Sequence, residues 1–323
     1  MTPVLWLTGP PGLTGVPGVG WELYDQLTRD GVRAGYVDID QLGVYFPDTA
    51  KDPDRYQMKA RNLDAVVATF ARAGAERVVV SGDAEVPRDL LPHASLTVCW
   101  LGPDGGDVAV DPAGLSVPEL VARLRALPVD QPSTVDTGRP GPASGPPVVW
   151  LCGVTGVGKS TVGRAVYEQI PGAAFVELDQ IGFYRPSPVD DPRNHRVKAA
   201  NLRALWHAYG EAGATRLVVV GPVDSRLDIF VYVDALPGVK MTVCRLHAGR
   251  EELARRIAAR GRGEGPALPG DPLSGQPAEV LDAAARKAAA EADALDAAGI
   301  GHARVETDGR TVDEVAALVL GAI

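Results

Sequence analysis

One pattern occurs twice in this chain and limits what it can fold into. Residues 151–170, "LCGVTGVGKSTVGRAVYEQI", and residues 7–27, "LTGPPGLTGVPGVGWELYDQL", each follow an apolar run containing a tryptophan (Trp150, Trp6). Each ends in a Tyr-acid-Gln-aliphatic tetrad. The likeness continues in the same order. "YVDIDQLGVYFPD" (36–48) matches "FVELDQIGFYRPS" (175–187), and "KARNLDAVVATFARAGAERVVVSG" (59–82) matches "KAANLRALWHAYGEAGATRLVVVG" (198–221). "LTVCWL" (96–101) matches "MTVCRL" (241–246). Constant order and nearly equal spacing point to a duplicated unit. Between the copies, residues 128–147 ("PVDQPSTVDTGRPGPASGPP") have no periodicity and many Pro, Gly and Ser residues, a composition that reads as a linker. The expected organisation is a first domain over 1–127, a linker over 128–147 and a second domain over 148–323.

Strand-like and helix-like stretches alternate within each copy. In the second, strands are predicted at 148–151, 175–178, 216–220, 240–246 and 303–306, with helices at 160–170, 194–211, 250–260, 277–298 and 311–321. Such alternation implies α/β architecture, a parallel sheet covered by helices in each of two tandem domains. A chain of 323 residues is long enough for two separate cores.

Composition narrows the partners. The charge of −9 disfavours a general nucleic-acid binder, which needs a net basic face. No apolar run approaches bilayer length and no basic, apolar leader is apparent, so a cytoplasmic protein without a membrane partner is the expectation. Cys99, Cys152 and Cys244 are far apart in strand-like runs and are expected to be buried small hydrophobes, not metal ligands or a disulfide framework. The Ala, Gly, Arg, Val and Pro bias suggests a GC-rich bacterial genome.

The second loop carries a complete phosphate-binding pattern, the P-loop, placed after a strand and opening a helix. Gly153, Thr155, Gly156, Val157 and Gly158 let the backbone turn its N–H groups toward a phosphate, and Thr161 lies in the first helical turn. Lys159 is expected to reach the outer phosphates, and Ser160 to ligate Mg²⁺. The first loop is one residue longer and has Val16 and Pro17 in those two places. A branched apolar chain cannot clamp phosphate, and Pro17 lacks an N–H. That copy should not bind a nucleotide triphosphate.

Two further segments carry candidate chemistry. After "MTVCRL", the second copy holds "HAGREELARRIAARGRGEGPALPGDPLSG", where Arg256 and Arg260 project from one helical face and Arg262 enters a Gly/Pro stretch. This segment reads either as a phosphate-closing lid or as a solvated basic helix. The first copy lacks it altogether, a second loss beside that of the lysine. Strand two ends in Glu177-Leu178-Asp179-Gln180, with its carboxylates on one face at the edge where open α/β sheets bind ligands. Asp179 could orient or deprotonate a hydroxyl and Glu177 could support Mg²⁺; Asp179 could equally be a helix N-cap. Asp38 and Asp40 persist in the first copy, as do Lys59 and Asn62 opposite Lys198 and Asn201. The five histidines form no metal or triad spacing.

The second copy resembles the P-loop small-molecule kinases, the shikimate, gluconate, adenylylsulfate and antibiotic-phosphorylating groups. "GVTGVGKS", "ELDQ" and "LARRIAAR" before a Gly-rich stretch carry the resemblance. It implies two tandem P-loop kinase-like domains with a degenerate first copy. "VETDGRTVDEV" resembles the closing strand and loop that bracket adenine, which would place Asp308 and Gly309 at the base. The resemblance implies ATP and Mg²⁺ as cofactors and a small-molecule hydroxyl acceptor, and the retention of the first copy after its losses points to a packing partner or substrate-side wall for the second half. After strand three the chain reads Gly221-Pro222, and Asp224 is the first carboxylate, which favours a small kinase over a motor or switch GTPase. The alternative is a nucleotide-dependent regulatory or scaffold ATPase.

Overall fold

In the computed structural model the described residues are 1–323 except 11, 12, 14, 46–51, 53, 54, 83–87, 129–143 and 265–270. The first half contains β1 (Thr2–Thr8), α1 (Val16–Arg29), β2 (Ala34–Asp38), a 3₁₀ turn over Ile39–Leu42, α2 (Tyr56–Arg72), β3 (Arg77–Ser81), β4 (Ala94–Leu101), β5 (Val108–Val110) and α3 (Val117–Arg125). The second contains β6 (Val148–Cys152), α4 (Lys159–Glu168), β7 (Ala173–Glu177), β8 (Phe183–Arg185), α5 (His195–Glu211) and β9 (Arg216–Val220). It continues with α6 (Arg226–Ala235), β10 (Met241–His247), α7 (Arg250–Gly261), α8 (Ala278–Ala297), β11 (Ala303–Glu306) and α9 (Val312–Leu320).

These strands form two sheets. One runs β5-β4-β1-β3-β2-β8 and is parallel except where β8 joins β2 antiparallel. The other runs β11-β10-β6-β9-β7 and is parallel throughout. The chain is therefore α/β, with parallel-dominated sheets carrying helices. β1 and β6 hold equivalent central places, so each Gly-rich loop leaves the carboxyl end of a central strand. Every residue of both strands is buried, as sheets covered on both faces require. The three cysteines are buried, and burial raises the Cys152 thiol to about 12.

The helix after each loop lies close to its third strand. A Cβ on Gly20 would stand 2.9 Å from Ser81 Cβ, and one on Gly163 would stand 2.2 Å from Val220 Cγ1. Glycine at these two places sets the depth at which α1 and α4 seat.

Two elements go beyond the sequence reading. α6 is apolar around its circumference, which hides a helical period, but Ser225 and Asp228 form a reciprocal capping box at its start. β8 is three residues long and has no pattern of its own.

The compact units do not follow the repeat boundary. One consists of the described residues of Met1–Val44, Asp48–Ala143 and Asp179–Ala208; the other of those of Tyr45–Pro47, Ser144–Leu178 and Tyr209–Ile323. Residues 179–208 of the second half thus build into the first unit, because β8 completes its sheet. A division at 128–147 alone does not describe this, and most of that linker lies outside the described residues.

Candidate nucleotide-binding site

The site is assembled at the carboxyl edge of the second unit's sheet. Gly153, with φ 141°, leaves β6 where a Cβ would stand 2.7 Å from the Leu246 carbonyl oxygen. Gly158, with φ 97°, is left-handed and starts α4 at Lys159. The first loop ends the same way, at Gly15 with φ 92° before Val16. Backbone shape at the helix start is common to both loops, and the side chains differ.

The Lys159 ammonium donates to the Val154 carbonyl at 2.9 Å, so its stem folds back over the loop. Ser160 Oγ donates to Glu177 Oε1 at 2.5 Å, which joins the first turn of α4 to the end of β7. An ammonium bonded to the loop backbone and a hydroxyl paired with a carboxylate are thus both held in the first turn of α4, at a helix N-terminus, where anions are favoured. Hydroxyl and carboxylate are the hard donors that Mg²⁺ takes, and their closeness fits a shared ion.

Arg256 is fixed on this loop. It donates to the Val157 carbonyl at 2.9 Å, to Thr307 Oγ1 at 3.0 Å, to the Thr307 carbonyl at 3.2 Å and to Glu252 at 2.6 Å. Hydrogen bonds from Arg255 and Arg256 hold Glu252 down to about 2. Arg256 thus ties α7, the phosphate loop and the end of β11 together. Arg260 instead binds Asp271 at 2.6 Å, and Arg262 pairs with Glu264 at 2.7 Å on the surface. Six residues of the predicted Gly/Pro lid, 265–270, lie outside the described residues.

The Asp308 carboxylate accepts from the Gly249 N–H at 2.8 Å and so anchors the start of α7. Gly309 is exposed and left-handed, with φ 67°. Sequence reasoning missed Thr307 and Glu252. The Glu252–Arg256 spacing of one helical turn was a visible signal for the second; nothing marked the first.

Asp179, two residues beyond the end of β7, belongs to the first unit. No helix begins there, so it is not an N-cap. Its carboxylate meets the buried Lys198 at 2.6 Å. Asp40 meets Lys59 at the same 2.6 Å. Asn201 and Asn62 each donate to a turn carbonyl at 2.6 Å, that of Ile181 and of Leu42 respectively. Asp38 occupies the place of Glu177, with Pro17 where Ser160 would be. It is buried and accepts from the Asp40 N–H at 3.1 Å; burial raises it to about 6.

No family model matches the chain, and no curated protein matches it. Among solved structures it is similar to the tunicamycin resistance protein of Deinococcus radiodurans, at 20% identity over 55% of this chain and 94% of that one, with a TM-score of 0.37. It is similar to the APS kinase CysC of Mycobacterium tuberculosis at 21% identity, covering 56% and 98%, with a TM-score of 0.34. The shikimate kinase of Acinetobacter baumannii matches at 18% identity, covering 54% and 91%, with a TM-score of 0.36. Independently of these matches, β6, the loop and α4 are the strand–GxxxxGKS–helix unit of a P-loop fold. Among the described residues no helix is long and apolar enough to cross a membrane.

Proposed function

We propose that the second half is an ATP- and Mg²⁺-dependent kinase that transfers the γ-phosphoryl group to a hydroxyl of a small molecule, a metabolite or an antibiotic. The observation that carries this is a complete phosphate loop with Lys159 folded back onto it and Ser160, the next residue, bonded to Glu177. The loop amides and Lys159 hold the phosphates, with the ammonium exchanging the Val154 carbonyl for phosphate oxygen. Ser160 and Glu177 would hold Mg²⁺, which when bound neutralises phosphate charge. Arg256 keeps the loop in shape, and Arg260 exchanges Asp271 for the transferring group. Asp179, oriented by Lys198, takes the acceptor proton while the acceptor oxygen bonds to phosphorus and the bond to the leaving diphosphate breaks. Such a reaction needs mainly positioning and charge neutralisation, which these parts supply.

The test is a mass-spectrometric screen of hydroxylated metabolites and antibiotics with ATP and Mg²⁺. One chemical class should gain a single phosphate. ATP hydrolysis at one rate, whatever acceptor is present, would instead identify a switch-like ATPase.

A further inference from the structure

Tyr45 and Tyr184 occupy the same place in the two copies, and each is built into the other half. Tyr184 lies in β8, opposite Gly35 of β2. Its ring stacks on Phe70 with centroids 6.2 Å apart, and its hydroxyl donates to the Ala73 carbonyl at 2.6 Å. Tyr45 bridges antiparallel to Ala174. It stacks on Tyr209 at 6.4 Å, and its hydroxyl donates to the Ala212 carbonyl at 3.3 Å. Gly35 aligns with Ala174, Phe70 with Tyr209 and Ala73 with Ala212. Strand partner, stacking ring and carbonyl are thus the same three positions in both directions. Both tyrosines are buried, at 6% and 4% exposure.

The second half's arm has further anchors. Phe183 packs edge-on to Trp21 at 4.7 Å. Arg185 pairs with Asp25 at 3.0 Å and lies over the rings of Trp21 and Tyr24. This arm carries Asp179 and Lys198 into the first unit.

We infer that the two halves exchange tyrosine arms reciprocally, as two copies of one single-repeat protein would. The disarmed half is kept because it is the frame on which the second half's own residues 179–208 are built. A contact that uses the same positions in both directions is self-complementary, the property of a pairing between identical units. Loss of the phosphate loop leaves this pairing untouched, because β2, α2 and Tyr45 lie outside it. Nothing here depends on which reaction the second half performs.

The test keeps the full chain and inserts a protease recognition sequence between Thr134 and Gly138. After cleavage of the folded protein, size-exclusion chromatography should return both fragments as one species. Separation without denaturant overturns the exchange. Tyr45→Phe and Tyr184→Phe remove only a hydroxyl and should each weaken association of the cleaved halves about fivefold, the effect of one hydrogen bond. The double variant should weaken it about 25-fold, provided the two sites act independently. An association constant unmoved by all three variants assigns the pairing to other contacts and overturns the role of the tyrosines. Near-native circular dichroism of each uncleaved variant separates these outcomes from misfolding.

Discussion

The loops after β1 and β6 share a left-handed glycine, a following helix and a glycine seated on strand three, yet only the second carries the lysine and serine of the phosphate-loop pattern. At the first helical position Lys159 corresponds to Val16, and at the second Ser160 corresponds to Pro17. The carboxylate at the end of strand two records the change. Glu177 has the Ser160 hydroxyl as its partner. Asp38 has the Asp40 N–H, and burial holds it at about 6. The order of the five parallel strands is the same where these side chains differ, because the core positions that make a sheet are not the positions at the start of the helix.

The largest expected effect comes from giving the second loop the first loop's residue. Lys159→Val should lower phosphoryl transfer by about 10³-fold or more, the scale of losing a donor aimed at developing charge, with thermal stability unchanged. Turnover near that of the native protein would remove the lysine from the site. The reverse change should accomplish nothing: calorimetry of Val16→Lys with a non-hydrolysable ATP analogue should still give one site per chain. Two sites would end the claim that Pro17 and the longer loop also disarm the first copy.

A smaller loss should follow Asp179→Asn, about 10²-fold in turnover with nucleotide affinity preserved, as for a positioned proton acceptor. Equal falls in turnover and nucleotide affinity would reassign Asp179 to holding the fold.

Asp38→Asn sharpens the comparison through pH. The folded carboxyl near 6 lies above its ordinary value near 4, so between these the folded state keeps a proton that the unfolded chain has released. The stability is fully present below about pH 4 and falls as pH rises through 6. The Asp38→Asn variant should therefore melt at a higher temperature than the native chain above pH 6 and at nearly the same temperature at pH 4. The gain is bounded by about 3 kcal/mol and reduced because the amide is itself buried. A pH-independent effect would show that Asp38 is not the titrating group.

The smallest effect compares the two seated glycines. Gly163→Ala should cost about 2 kcal/mol in chemical denaturation and Gly20→Ala about 1 kcal/mol, within the range for overpacking, because the nearest atom is closer at Gly163. The opposite ranking would mean that α4 shifts more easily than α1.

By itself the sequence determined the alternation of strands and helices, the complete phosphate-loop pattern between β6 and α4 and the burial of the cysteines. These follow from local signals: apolar runs, glycine spacing and the identity of one or two side chains. It also placed strand two and the five predicted helices of the second half near their observed limits, but not α6. Three things were decided only by the tertiary structure. Arg256 is a clamp on the Val157 carbonyl, since its partners Val157 and Thr307 are remote in sequence and backbone acceptors leave no residue-type signature. Asp179 is held by Lys198 and is not an N-cap, because the turn after β7 does not become a helix. Residues 179–208 belong to the unit built on the first half, because a three-residue strand gains its hydrogen bonds from whichever sheet edge is free, and that edge is β2.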